Sequence, residues 1–494
     1  MRPAALLLLL APLAGAPAGK PIPVRPEALA FPPLAYAPPS PAEHRHVLSN
    51  GLVAFVAEDH TLPLVNLTVF VRTGSYLEPE GKQGLADLTG QQLRRGGSRS
   101  LSAEALDERL AFLATEVATG IGSTSGQARM SCLAENLDES LRLFVEMLRE
   151  PRFQQDRLEL AREQELQEMS TRNDDAEDIE SREWNRLVYG ESFFSNRLAT
   201  EASIRSITAD DLRAFHRGSF HPARMVAAVS GDFSSDVMLG KLEAAFAGWP
   251  WPPPPAGAVP TDIQPAPAGL YRVDKPVNQG RVSIGLPTVR RDDPDAYALE
   301  VMNEVLGGSG FSSRITGAVR SNEGLAYAAY SSLSLGPYYP GRFRAAFQSK
   351  SRSVARAAGL VLEEIRRMRE TRVTPEELDA TQRSLVESFP NNFASQAQAM
   401  ATFAADELTG RPPDYWAGYR DRIRAVTAED VQRVARAHLD PARMLILVVG
   451  DLKEIASGES EGASLASLAG GRVTDLPLLD PMTLRPLPQE GVRP

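Results

Sequence analysis

Two stretches of this 494-residue chain repeat one another without a gap. Ile207-Thr208-Ala209-Asp210-Asp211 leads to Pro222-Ala223-Arg224-Met225 and then to Val229-Ser230-Gly231-Asp232. Val426-Thr427-Ala428-Glu429-Asp430 leads to Pro441-Ala442-Arg443-Met444 and then to Val448-Val449-Gly450-Asp451. The offset is 219 residues, from Ile207 to Val426 and again from Asp232 to Asp451. Stacked-repeat proteins repeat every ~20–50 residues, so a period this long means a duplicated domain. A chain of this length also exceeds what one hydrophobic core serves.

Each copy makes local sense. Thr208 and Thr427 suit helix N-caps, with Asp211 and Asp430 as the acid three residues on. A proline then blocks continuation, and the apolar runs Met225–Val229 and Met444–Val449 read as buried strands closed by Gly-Asp turns. Trp249-Pro250-Trp251-Pro252-Pro253-Pro254-Pro255 and the Pro/Ala stretch reaching Ala268 form a stiff connector. The predicted organisation is a Pro-rich segment over 19–45, a first domain over 46–248, a linker over 249–268, a second domain over 269–455 and a flexible tail over 456–494. Strands are expected at 53–57, 65–71 and 282–286. Helices are expected at 83–95, 101–114, 135–149, 154–172, 293–306, 312–322, 351–371 and 374–408. Blocks of strands and helices in this order give an α+β class of two homologous domains.

A net charge of −10 argues against a nucleic-acid partner, which calls for a basic face. Met1-Arg2-Pro3, the apolar run Ala4–Gly15 and Ala16-Pro17-Ala18 predict a secretory signal peptide over 1–18, and hence a secreted or periplasmic protein. The run is shorter than the ~20 residues of a membrane helix, and no cysteine follows it for a lipid anchor, so no membrane span is expected after cleavage. Cys132 is the single cysteine and reads as a core residue.

The segment Gly84-Leu85-Ala86-Asp87-Leu88-Thr89-Gly90-Gln91-Gln92-Leu93 resembles the zinc helix of the insulinase/pitrilysin-type peptidases, in which G-L-A precedes H-x-x-E-H. That motif needs two imidazoles one helical turn apart and a carboxylate to activate water. Here the three positions hold Asp87, Gly90 and Gln91. The histidines are His44, His46, His60, His216, His221 and His438, and no two stand four apart. The family's third ligand, a glutamate further along, falls near Glu165 or Glu168. Asp87, Gln91 and Glu168 are too few for an oxygen cage around Ca²⁺ or Mg²⁺. No metal is expected on this chain.

Further motifs extend the resemblance over nearly the whole mature chain. They include Leu101-Ser102-Ala103-Glu104-Ala105-Leu106, Val273-Asp274-Lys275-Pro276, Asn303-Glu304-Val305-Leu306-Gly307-Gly308 and Ser312-Ser313-Arg314-Ile315. Val319-Arg320-Ser321-Asn322-Glu323-Gly324-Leu325-Ala326-Tyr327 completes the series. The resemblance implies two α+β domains facing each other like a clamshell. It also implies that Arg320 and Tyr327 occupy the positions of an Arg/Tyr pair that reaches bound peptide. Gly307, Gly308, Ser309 and Gly310 resemble a glycine-rich loop that contacts peptide in the processing peptidase's non-catalytic subunit. A plain helix-ending turn is the alternative for that loop. For the pair, the alternative is a solvated arginine and a core aromatic.

A chain that lacks the zinc set and keeps the pair is expected to be the zinc-free subunit of a heterodimeric metallopeptidase. Zinc then sits in a homologous partner and unfolded peptide is the substrate. The alternative is a non-catalytic scaffold or peptide-binding pseudopeptidase.

Overall fold

Each half of the repeat folds around a six-stranded sheet, and the two sheets share one plan. The computed structural model describes residues 35–249, 257–459 and 464–488. The chain divides into a short N-terminal unit, Met1–Ala37, and a compact unit, Pro38–Pro494, which holds every described helix and strand. The signal peptide expected over 1–18 lies outside the described residues.

The first sheet has the order β1 (Arg45–Val47), β2 (Val53–Glu58), β6 (Met225–Gly231), β3 (Leu64–Val71), β5 (Gly126–Leu133), β4 (Glu116–Ile121). The second has β12 (Val473–Leu476), β7 (Gly269–Asp274), β11 (Leu445–Gly450), β8 (Gln279–Pro287), β10 (Arg342–Lys350), β9 (Ala326–Ser334). β2 runs parallel to β6 and β7 parallel to β11, while β6–β3–β5–β4 and β11–β8–β10–β9 are antiparallel. The repeated sequences supply β6 and β11, the strands buried on both faces of each sheet. Their continuous apolar runs reflect that burial. Both N-caps close as capping boxes. Thr208 Oγ1 accepts from Asp211 N at 3.3 Å and Asp211 accepts from Thr208 N at 2.8 Å. The two bonds between Thr427 and Asp430 are both 3.1 Å.

Four helices position the site: α1 (Leu85–Arg95), α2 (Gln155–Ser170), α3 (Ala176–Tyr189) and α4 (Gln396–Thr409). α3 and α4 are exchanged between the halves. α3 follows the first half's helices yet sets Ile179, Trp184, Leu187 and Val188 against Tyr271, Val273, Leu445 and Leu447 of the second sheet. α4 returns the arrangement, placing Met400, Phe403 and Ala404 against Phe55, Ala57, Val226 and Ala228 of the first. A sheet buried on one face only would expose its other apolar face to water, and the exchange removes that cost in both halves.

The structure departs from the sequence expectations in three places. The helix expected over 374–408 is two helices, Pro375–Ser388 and α4, separated by a 3₁₀ segment at Phe389–Phe393. Pro390 has no N–H to continue the ladder. Parts of the helices expected over 293–306 and 312–322 are π-helical, at Glu304–Gly308 and Gly317–Asn322. The tail expected to be flexible is partly built into the fold. β12 fills the open edge of β7, Arg272 clasps Asp475 with two bonds of 2.7 and 3.0 Å, and Leu476 and Leu478 join the cluster around α3. Cys132 is buried in the first core, as expected, and burial raises its pKa.

Candidate functional site

α1 begins at Gly84, whose left-handed φ of +97° suits only glycine without strain. Glu78, buried, accepts from Gly84 N at 3.1 Å and Ala86 N at 2.8 Å and so satisfies the helix's first donors. Burial pushes its pKa up to about 7.

One turn in, Asp87 is exposed and accepts from Gln91 Nε2 at 2.8 Å. The surrounding protein raises its pKa, and the charge of Glu168 adds to the effect. Glu165 is raised by burial and by the charges of Asp87 and Glu168. The structure therefore brings the expected third-ligand acids of α2 towards Asp87. The donors are carboxylates and an amide with no imidazole, which do not fit zinc. Among the described residues no group of three or more His, Cys, Asp or Glu side chains is placed to hold a metal ion.

Gly90 stands where the resemblance puts the water-activating glutamate. A Cβ there would lie 2.4 Å from Ile121 N and 2.8 Å from Gly120 C, both main-chain atoms of β4. Thr119 Oγ1 donates to Gly90 O at 2.6 Å and ties helix to strand. The glycine thus allows α1 to lie directly on β4, and a larger residue has no room.

The second half is arranged differently. Arg320 lies on the π segment Gly317–Asn322, and Tyr327 is the second residue of β9. Gly324, at φ +62°, reverses the chain between them, with Gly324 N bonded to Arg320 O and Leu325 N to Val319 O, both at 3.0 Å. The reversal stacks the Arg320 guanidinium 5.0 Å from the Tyr327 ring centroid and 4.4 Å from that of Phe311. Tyr327 is 86% exposed and Phe311 74%. Arg320 forms no ion pair with an acidic side chain among the described residues. Two aromatic faces hold the guanidinium flat and leave its N–H edge free to donate.

The glycine-rich segment leads into this stack. Gly307 and Gly308 close the π turn, where Cβ atoms would meet Ser331 N at 2.3 Å and Glu304 Oε1 at 2.5 Å. Ser309 N and Oγ both donate to Glu304 O, at 3.1 and 2.8 Å. Gly310, at φ +57°, has open space where a side chain would be. The first two glycines serve packing, and the last delivers Phe311 to the surface. Phe311 escaped the sequence reading, although a large aromatic inside a Gly/Ser run was its signal. A pocket of about 420 Å³ adjoins Tyr327, lined by Tyr330, Gln348, Lys350, Arg281 and Glu180 among others. Nothing in the sequence links those residues, which come from four separate elements.

Comparison with known proteins is decisive for the family. Residues 53–198 match the pattern described as insulinase (peptidase family M16), and residues 206–385 match that of the peptidase M16 inactive domain. The chain belongs to the M16 peptidase family. Within M16 it is an inactive member, since the zinc-motif positions hold Asp87, Gly90 and Gln91. The non-peptidase homolog YmxG of Helicobacter pylori is 24% identical over 83% of this chain and 94% of its own length. An uncharacterized zinc protease of Streptomyces coelicolor is 26% identical over 65% of this chain and 72% of its own. The crystal structure of a peptidase M16 inactive domain from Pseudomonas fluorescens superposes with a TM-score of 0.74 at 24% identity, covering 82% of this chain and 97% of that one. The M16 α+β fold, two sheets with their helices, is thus established for this chain. No described helix is long and apolar enough to cross a membrane.

Proposed function

We propose that this M16 chain is a zinc-free, peptide-binding subunit that works with a zinc-bearing homologue. In this reading the metal and its chemistry belong to the partner, and this chain binds and orients unfolded peptide. The observation that carries the reading is the outward-facing state of the second half. Arg320 lacks an acidic partner among the described residues, and the Tyr327 phenol projects into solvent. A guanidinium fork and a phenol O–H are the donors that hold a peptide carbonyl and stabilise negative charge developing on it. The signal peptide expected over 1–18 supports a reading in which this work takes place outside the cytoplasm, in the periplasm or beyond.

The test is reconstitution. Purified chain is mixed with the H-x-x-E-H homologue of its source organism and assayed on an unstructured fluorogenic peptide. Activity is expected to rise on mixing, and Tyr327→Phe is expected to lower it by about 10²-fold, the scale of one lost oxyanion donor. Activity indifferent to this chain overturns the proposal. A stable complex whose activity ignores Arg320 and Tyr327 identifies the chain as a scaffold instead.

A further inference from the structure

We propose that the pocket beside Tyr327 is a carboxylate subsite, which takes an acidic side chain or the C-terminal carboxylate of a bound peptide. The inference rests on the peptide-binding reading above and adds to it a selectivity that the Arg/Tyr pair alone does not supply.

The pocket arises from an irregularity in the sheet. Phe347 of β10 pairs with Ala329 of β9, but Ser349 pairs with Ala326. Two residues, Tyr327 and Ala328, therefore stand opposite the single Gln348. A bulge of this kind interrupts the ladder and re-aims side chains. Here it accompanies the outward Tyr327 and an opening of about 420 Å³, within the range of small-ligand pockets. β9 is also the last strand of its sheet. Among the described residues no strand lies beside its outer main-chain groups, so an extended peptide can lie along it and turn one side chain into the pocket.

The charges select what enters. Glu180, fully buried, forms the floor, but Arg281 at 2.8 Å, Arg344 at 2.9 Å and the Ser283 hydroxyl at 2.5 Å neutralise it. Arg281 also meets Glu177 at 3.2 Å. Glu180, Glu177 and Asp175, whose charge also reaches Arg281, thus answer Arg281 and Arg344. Lys350 at the rim is exposed and has no ion pair among the described residues. Arg320, on the Tyr327 ring, is likewise without an acid. Two uncompensated cations flank the tyrosine. A carboxylate guest meets net positive charge there, while an ammonium guest meets repulsion. The floor ion pairs have a structural duty, since they anchor α3 to the second sheet. That duty does not account for the open cations at the rim.

The experiment measures binding by the full chain alone, by fluorescence anisotropy with dye-labelled unstructured dodecapeptides. The peptides differ at one central residue, Glu, Gln or Lys, and each is made with a free or an amidated C-terminus. The central-Glu or the free-acid peptide is expected to bind about tenfold tighter than the amidated Lys peptide. Whichever arm carries the preference identifies the source of the carboxylate. Lys350→Glu should abolish or invert the preference without changing the melting temperature, because the side chain is exposed. Lys241→Glu, a charge reversal on a first-half helix, should leave it intact. Equal binding of all the peptides overturns the subsite and leaves peptide binding standing. So does a Lys241→Glu effect as large as that of Lys350→Glu. Failure of every peptide to bind overturns the peptide-binding reading together with the subsite.

Discussion

The same architecture is closed in the first half of the chain and open in the second. On α1 the vestigial metal positions satisfy one another. Gln91 donates to Asp87, and Gly90 lies against β4 with no room for a side chain. On β9 and the π segment before it, Arg320 has no acidic partner among the described residues and Tyr327 faces solvent. Losing a catalytic group leaves space, and at Gly90 packing has consumed it. Keeping exposed aromatics and uncompensated cations gains the isolated chain almost nothing in stability, which is why the proposed function gives them an external role. The loss is built into the packing and is not confined to three side chains.

The open half nevertheless depends on the closed one, and the largest predicted effect tests that dependence. Glu180 comes from α3 in the first half and is buried between Arg281 and Arg344 of the second sheet. Glu180→Ala leaves Arg344 without its acidic partner and Arg281 with Glu177 alone, and is expected to destabilise the fold by about 3–5 kcal/mol, read by denaturant unfolding. A change below about 1 kcal/mol would mean that the halves are far less interlocked than the exchanged helices indicate.

Next comes an attempt to undo the closure. Gly90→Glu restores the carboxylate of the family motif but drives a Cβ to 2.4 Å from Ile121 N, a main-chain atom that cannot swing aside. A loss of about 1–3 kcal/mol is expected from overpacking. Unchanged stability would show that α1 and β4 separate readily and that the first half is merely stripped of ligands. The matched double change Asp87→His with Gln91→His adds side chains where there is space, and should be tolerated better.

How much of this could be read in advance differs between fold and site. The repeat at offset 219 located β6 and β11, and the Thr–Asp pairs located both capping boxes, because these features are local and carried by a few residues. α3 was not legible. Ala176–Tyr189 is mostly polar, and its apolar residues form a face only against strands some ninety residues or more further along the chain. β9 was missed because Ala, Ser and Tyr give an edge strand no strong alternation. The Arg320/Tyr327 pair was visible through motif order. Phe311, Lys350 and Arg281 become neighbours of the site only through a glycine-led turn, a bulge and sheet pairing, none of which sequence spacing records.

A pH-dependent effect separates the cap of α1 from the motif chemistry. Glu78 has a folded-state pKa of about 7 against an ordinary 4.5, so between those values the folded chain holds a proton that the unfolded chain has released. Stability should therefore fall as pH rises from about 4.5 to 7, and this contribution should be flat outside that window. Glu78→Gln keeps an acceptor for Gly84 N and Ala86 N and removes the titration. The mutant's melting temperature should lose that component of the wild-type pH slope. An identical slope in both proteins would show that Glu78 remains ionised, held by its two main-chain donors.

The smallest predicted changes are the sharpest test of the open half. Tyr327→Phe keeps the ring over Arg320 and removes a hydroxyl from an 86% exposed side chain, so stability should shift by less than about 0.5 kcal/mol. Arg320→Ala loses contacts to two exposed rings, which at such sites contribute roughly 0.5–1 kcal/mol each at most. Thermal unfolding of both variants beside wild type measures this directly. A drop of several degrees for Tyr327→Phe would place its hydroxyl among the groups that hold the fold together. The contrast with Asp87 and Gln91, whose polar atoms are spent on each other, would then disappear. Near-identical melting curves leave the phenol with no internal role, which is the condition for it to act on something outside the chain.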